Sequence, residues 1–74
     1  MANLTKPIDP VTRHAEFAID SASEISLLPT TTKGGSGNLS TIENGVAAGS
    51  TAYTTDGNLD IYVLNGLSDE WKLS

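Results

Sequence analysis

The stretch that decides the fold is residues 51–73, TAYTTDGNLDIYVLNGLSDEWKL. Within it, Asp56-Gly57 separates two runs of alternating apolar and polar residues, and Asp-Gly between such runs is a strong hairpin signal. A second turn leads to a closing segment in which Trp71 and Leu73 share a face. The stretch therefore predicts a three-stranded antiparallel meander, with strands near residues 51–55, 59–64 and 70–73.

One further strand is predicted upstream of this meander. In residues 14–20, HAEFAID, apolar residues fall at every second position, which is the pattern of a half-buried strand. Ser21 and Glu24 then have the spacing of a capping box, so one or two helical turns should follow, until Pro29 ends them. Together these patterns predict an all-β fold: a small antiparallel sheet with one short helical turn.

The rest of the chain carries little periodicity. Residues 1–13 contain two prolines and predict an extended N-terminal arm. Residues 30–50 form a long loop rich in Gly, Ser and Thr, and a structureless loop of this length is improbable in so small a domain. We therefore expect Leu39, Ile42 and Val46 to anchor it. The predicted organisation is an arm over residues 1–13 and a single small β domain over residues 14–74.

Composition argues against several classes of function. The chain has 74 residues and a net charge of −5, and its four basic residues are scattered, so we expect no nucleic-acid partner. No apolar run has the roughly 20 residues of a membrane span, and the N-terminus lacks the pattern of a secretory signal. With no cysteine and a single histidine, His14, we expect neither disulfides nor a zinc site.

The candidates for chemistry have simpler explanations. Asp56 and Asp60 belong to a calcium-loop-like run, but Ile61 stands where the loop needs glycine and Leu67 where it needs glutamate. A hairpin turn explains the same residues. His14 is the only histidine available as a base, and it lies far from any nucleophile motif. We therefore predict a protein that is not an enzyme, with no catalytic, metal or cofactor site.

The predicted function is instead the binding of other protein surfaces. A chain this short, without disulfide or metal, usually gains stability by oligomerising or by docking on a partner. The arm should bind a groove on another chain, and the closing strand should lie near a shared interface. The candidate partner-binding residues are Leu4, Ile8, Val11, Trp71 and Leu73.

The few aromatic residues separate two kinds of binding protein. Tyr53 and Tyr62 lie on strands predicted to pair and could stack across them, while Phe17 and Trp71 are expected to plug a core or an interface. If Tyr53, Tyr62 and Trp71 were exposed and coplanar, they would favour a carbohydrate-binding module. If they were buried, they would favour a structural protein.

The C-terminal part of the chain also resembles a known group of proteins. A Gly-Ser start at Gly49-Ser50, a Tyr-centred strand over residues 59–64 and a closing Trp strand over residues 70–73 are similar to a pattern of small virion proteins of tailed bacteriophages. The resemblance extends over residues 19–74, and its motifs recur in many β modules. The proteins with this pattern are head decoration, head-fibre and tail-associated proteins.

This resemblance implies a structural role in the virion, without catalysis or cofactor, for a protein made in the bacterial cytoplasm. Related fibres continue further than Ser74, which favours a capsid decoration or cement protein. The implied partners are the major capsid protein or another virion protein, and further copies of the chain, most naturally as a trimer. The alternative is a carbohydrate- or receptor-binding module displayed on the particle.

Overall fold

The computed structural model describes all 74 residues and contains one five-stranded sheet. Its strands follow one another in sequence order, and 3-10 helices lie between the second and third. The strands are β1 (Asn3–Leu4), β2 (Glu16–Ile19), β3 (Thr51–Thr54), β4 (Ile61–Asn65) and β5 (Glu70–Leu73), and the 3-10 helices are Ala22–Leu27 and Gly37–Leu39. The all-β class and the C-terminal meander are therefore confirmed.

The sheet is mixed, whereas the sequence predicted an antiparallel one. β1 pairs antiparallel with β2, and β3, β4 and β5 form the antiparallel meander. β2 and β3, however, run parallel, with Phe17 opposite Ala52 and Ile19 opposite Thr54. A parallel pair needs a connection long enough to return to the starting end of the first strand. Residues 20–50 supply that length, and the long loop thus becomes the crossover.

The core lies between one face of the sheet and this crossover. Phe17, Ile19 and Leu64 project from the strands and are fully buried. The buried apolar residues form one cluster, namely Ala2, Ala15, Phe17, Ile19, Leu28, Leu39, Ile42, Val46, Ala52, Leu64 and Trp71. Leu39, Ile42 and Val46 belong to it, so the prediction that they anchor the 30–50 loop on the domain is confirmed.

Glycine lets the crossover fold tightly on itself. At Gly45, an added Cβ would stand 2.5 Å from the carbonyl oxygens of Thr30 and Thr31. These atoms belong to the backbone and cannot rotate away. The amide of Val46 donates to the Thr30 carbonyl at 2.9 Å, which holds the two segments together. The glycine-rich composition thus serves close backbone packing here.

The predicted helical turn is present as the 3-10 helix Ala22–Leu27, and it ends before Pro29. The capping box is only partly formed. The Ser21 hydroxyl pairs with that of Ser23 at 2.7 Å and makes no cap hydrogen bond. Glu24 does reach back, but its carboxylate accepts the amide of Asp20 at 2.8 Å.

The N-terminal segment is more closely tied to the fold than an extended arm over residues 1–13. Asn3–Leu4 forms the edge strand β1, and Ala2 is fully buried. Leu4 pairs with Phe17, and Leu4 and Ile8 both pack against the core. The physical reason is that β1 ends before Pro7, so neither proline interferes with its pairing.

Candidate interaction surface

One face of the sheet carries apolar side chains that the rest of the chain leaves accessible. We call it the open face and define it by Ala18, Thr51, Tyr53, Ile61 and Val63, which alternate with the core residues along β2, β3 and β4. Ala18 lies opposite Tyr53, and Tyr53 lies opposite Ile61, so these three form a row across three strands. Tyr53 is 36% exposed and Ile61 is 51% exposed.

A second row beside the first one ends in opposite charges. It runs through Glu16, Thr51, Val63 and Lys72, each opposite the next across the sheet. The carboxylate of Glu16 lies 3.7 Å from Lys6 Nζ, and Lys72 Nζ lies 3.1 Å from the carboxylate of Glu70. An apolar centre with a charged rim is the usual composition of a protein-binding surface.

The aromatic residues do not form a common platform. Tyr53 lies opposite Ile61 and Tyr62 opposite Ala52, so the two tyrosines project from opposite faces. The prediction that they stack is therefore wrong, because the register places them out of phase. Trp71 is only 9% exposed and lies edge-on to Phe17, with 6.0 Å between ring centroids. Tyr53, Tyr62 and Trp71 therefore do not share one exposed surface, and the carbohydrate-binding alternative stays a prediction without that support.

Trp71 is a core residue of its own chain. Its indole Nε1 donates to the carbonyl oxygen of Pro29 at 3.0 Å, and both residues are buried. The bond attaches β5 to the segment that follows the first 3-10 helix. The prediction that Phe17 and Trp71 serve as plugs is confirmed for the core. That Trp71 also lies near a shared interface stays a prediction, and within a single chain the core already covers most of the indole.

The remaining candidate partner-binding residues divide by exposure. Leu4 and Ile8 are half-buried against the chain's own core. Val11 is 87% exposed and Leu73 is 61% exposed, so these two remain available to a partner. The open face was not predicted from the sequence. The pattern that could have indicated it is the continuous apolar run from Ile61 to Leu64, which makes both faces of β4 apolar.

A carboxylate clamp holds the crossover to the turn between β4 and β5. Asp69 accepts the Thr31 amide at 2.7 Å and the hydroxyls of Thr31 and Thr32, each at 2.5 Å. These hydroxyl bonds, together with the amide, stabilise the carboxylate form and hold the pKa of Asp69 well below its usual range. Asp69 itself has a left-handed backbone, with φ of 55°.

Asp56 and His14, the sequence candidates for chemistry, have local structural roles. The Asp56 carboxylate accepts the amide of Asn58 and its side-chain Nδ2, both at 3.1 Å, within the turn between β3 and β4. His14 Nε2 lies 3.1 Å from the carbonyl oxygen of Ala48. It lines a groove of about 610 Å³ beside the proline-containing segment. Both residues therefore take part in holding loops in place.

Comparison of the chain with protein-family models, with curated protein sequences and with solved structures gives no match in any of the three. None of the helices has the length and apolar character needed to cross a bilayer.

Proposed function

We propose that this protein is a non-enzymatic virion structural protein of a tailed bacteriophage, of the capsid decoration or cement type, and that it docks on the head lattice through its open face. The observation that carries the docking is the row of Ala18, Tyr53 and Ile61 across the sheet. The resemblance of residues 19–74 to phage virion proteins supports the choice of particle.

The open face suits a preformed binding surface. Its side chains stand on three hydrogen-bonded strands, so little backbone ordering is needed when a partner binds. Tyrosine is enriched among the residues that dominate binding energy, because it buries a large ring at low entropic cost. Tyr53 at the centre of the row is therefore the expected anchor, with Ile61 beside it.

The partner in this proposal is the major capsid protein or another virion protein, and the protein acts as a homo-oligomer, most simply a trimer at three-fold positions of the lattice. The size of the core supports self-association. It contains 11 residues, and three of them are alanines, which contribute little buried apolar area each. Light scattering behind a sizing column should give an oligomer mass in solution. On the particle, the density of the protein should be grouped in threes. A monomer in both settings would refute this part.

The role in the virion is tested by mass spectrometry of purified particles. Copy numbers comparable with the major capsid protein are expected of a decoration protein. A few copies per particle would instead assign a tail or neck position, and absence from the particle would overturn the proposal.

The docking face is tested with particles that lack the protein. Tyr53→Ser and Ile61→Ser should each weaken rebinding at least tenfold while leaving the fold intact. Leu67→Ser is the matched control, because Leu67 is fully exposed in the turn between β4 and β5, away from the open face. Equal rebinding by all three variants would show that another surface docks. If the protein bound host glycans and did not bind the particles, the receptor-binding alternative would be supported.

A further inference from the structure

The outer edge of β5 has unpaired backbone groups. β5 is the last strand in the sheet, and the Ser74 amide donates to the Ile61 carbonyl at 2.7 Å. In an antiparallel pair, residues alternate between bonding the neighbour and pointing away from it. Lys72 therefore faces β4, while the N–H and C=O groups of Trp71 and Leu73 face outward. None of these four groups takes part in the chain's turn, loop or side-chain hydrogen bonds.

A small open groove adjoins this edge. It has a volume of about 240 Å³ and lies between β5 and the first 3-10 helix. Its apolar lining residues are Ile25, Leu28 and Trp71, and its polar ones are Ser26, Thr30, Lys33, Asp69 and Glu70. Leu73 projects from the same face of β5 as Trp71 and is 61% exposed. Side chains of an added strand opposite Trp71 and Leu73 would cover the exposed Leu73 side chain and lie beside this mixed groove.

The other face of β5 carries a charge pattern. Glu70 and Lys72 project side by side, with Lys72 Nζ 3.1 Å from the Glu70 carboxylate. Residues directly opposite one another on adjacent strands are close enough for their charges to interact. An antiparallel strand therefore fits best with an acidic residue opposite Lys72 and a basic residue opposite Glu70.

The same pattern disfavours a second copy of β5 at this edge. Two copies of β5 could pair antiparallel and use all four outward groups of each strand. In that arrangement Trp71 lies opposite the partner's Leu73, and the symmetry axis passes between the two Lys72 residues. Two Lys72 side chains then lie directly opposite each other, at the closest side-chain spacing of the ladder. Lysine on an exposed edge strand is a common protection against self-association.

We infer that the edge of β5 binds an extended strand of a different protein in antiparallel orientation, with residues in the order apolar, acidic, apolar, basic. The two apolar residues lie opposite Leu73 and Trp71, the acidic residue opposite Lys72 and the basic residue opposite Glu70. Main-chain hydrogen bonds give affinity and the alternate side chains give specificity, as in other strand-addition complexes. This site adjoins the open face at Lys72 but uses the outer edge of β5, and it does not depend on the proposed virion role.

The test is a titration of the ¹⁵N-labelled full chain with the peptide acetyl-Ser-Val-Glu-Val-Lys-Ser-amide. Binding is monitored through the backbone amide chemical shifts of the protein. The largest shifts are expected at Trp71 and Leu73. The control peptide acetyl-Ser-Val-Lys-Val-Glu-Ser-amide has the same composition with the two charges exchanged. It should bind about tenfold more weakly, because both cross-strand pairs become repulsive.

Two sets of variants test the backbone and the charges separately. Leu73→Pro removes an outward N–H without removing a bond to β4, and proline is tolerated on such edges. It should weaken peptide binding at least tenfold more than Leu73→Ala, which keeps the N–H. The double variant Glu70→Lys with Lys72→Glu contains no proline and should reverse the preference between the two peptides.

Three results would overturn the inference. The first is equal binding of both peptides by the unaltered chain. The second is an unchanged preference in the charge-exchanged double variant. The third is a concentration-dependent shift of the Trp71 and Leu73 amides without peptide, which would assign this edge to a second copy of the chain.

Discussion

Replacing Trp71 by alanine tests whether this indole belongs to the chain's own core. The side chain is 9% exposed, contacts Phe17 edge-on and donates a hydrogen bond to the Pro29 carbonyl at 3.0 Å. Trp71→Ala removes the ring, leaves a cavity beside Phe17 and leaves a buried carbonyl without its partner. Each of these three changes destabilises the folded state.

The expected loss is about 3–5 kcal/mol, the usual cost of truncating a buried tryptophan to alanine. A chain of 74 residues has a total stability of about 4–11 kcal/mol, so the variant should lie close to the limit of folding. Trp71→Phe keeps an aromatic ring but loses the indole N–H. It should cost roughly 1–3 kcal/mol, mainly from the unpaired carbonyl.

The assay is urea unfolding followed by circular dichroism, at two protein concentrations that differ a hundredfold. Leu73→Ala is the matched control on the same strand, and it should change stability by less than about 1 kcal/mol because Leu73 is 61% exposed. The loss for Trp71→Ala should be the same at both concentrations. A loss below about 1 kcal/mol, or one that vanishes on dilution, would refute the assignment of Trp71 to the core of a single chain.

Three other perturbations test the remaining contacts. Gly45→Ala places a Cβ 2.5 Å from the Thr31 carbonyl oxygen and should cost roughly 1–3 kcal/mol in thermal unfolding, and a neutral result would mean that the crossover relaxes freely. Asp69 has a lowered pKa when folded, so the stability from its hydrogen bonds is present above about pH 4 and is lost as the pH falls below that value. A plot of Tm against pH should therefore fall less steeply below about pH 4 for Asp69→Asn than for the unaltered chain, and identical acid limbs would contradict this role. Deleting residues 1–5 should lower Tm because Ala2 is fully buried, whereas Val11→Ser, at a position 87% exposed, should leave Tm unchanged.

The C-terminal half of the sheet could be predicted closely because its signals are local. The strands expected at residues 51–55, 59–64 and 70–73 are found at Thr51–Thr54, Ile61–Asn65 and Glu70–Leu73. The largest difference is at Leu59, which lies in the turn with a left-handed φ of 56°. Alternation continues through Leu59 in the sequence, so the pattern alone gave no reason to end the strand at residue 61.

The open face could not be predicted, because alternation groups residues by face without saying which face is buried. Both faces of β4 are apolar, with Ile61 and Val63 on one side and Tyr62 and Leu64 on the other. The choice is made by contacts distant in sequence: Leu64 lies opposite Trp71, whose indole is bonded to Pro29. The parallel pairing of β2 with β3 likewise depends on contacts across residues 20–50.

The crossover between β2 and β3 also determines the order in which the chain can fold. β3, β4 and β5 are joined by short turns and can pair as soon as they meet, whereas β2 must wait for closure of the segment 20–50. During synthesis from the N-terminus, β2 has only the two-residue β1 as a sheet neighbour until Thr51–Thr54 has left the ribosome. Phe17 and Ile19 consequently stay uncovered by the meander for as long as only residues 1–50 have been made, so the centre of the core cannot close before β3, β4 and β5 are available.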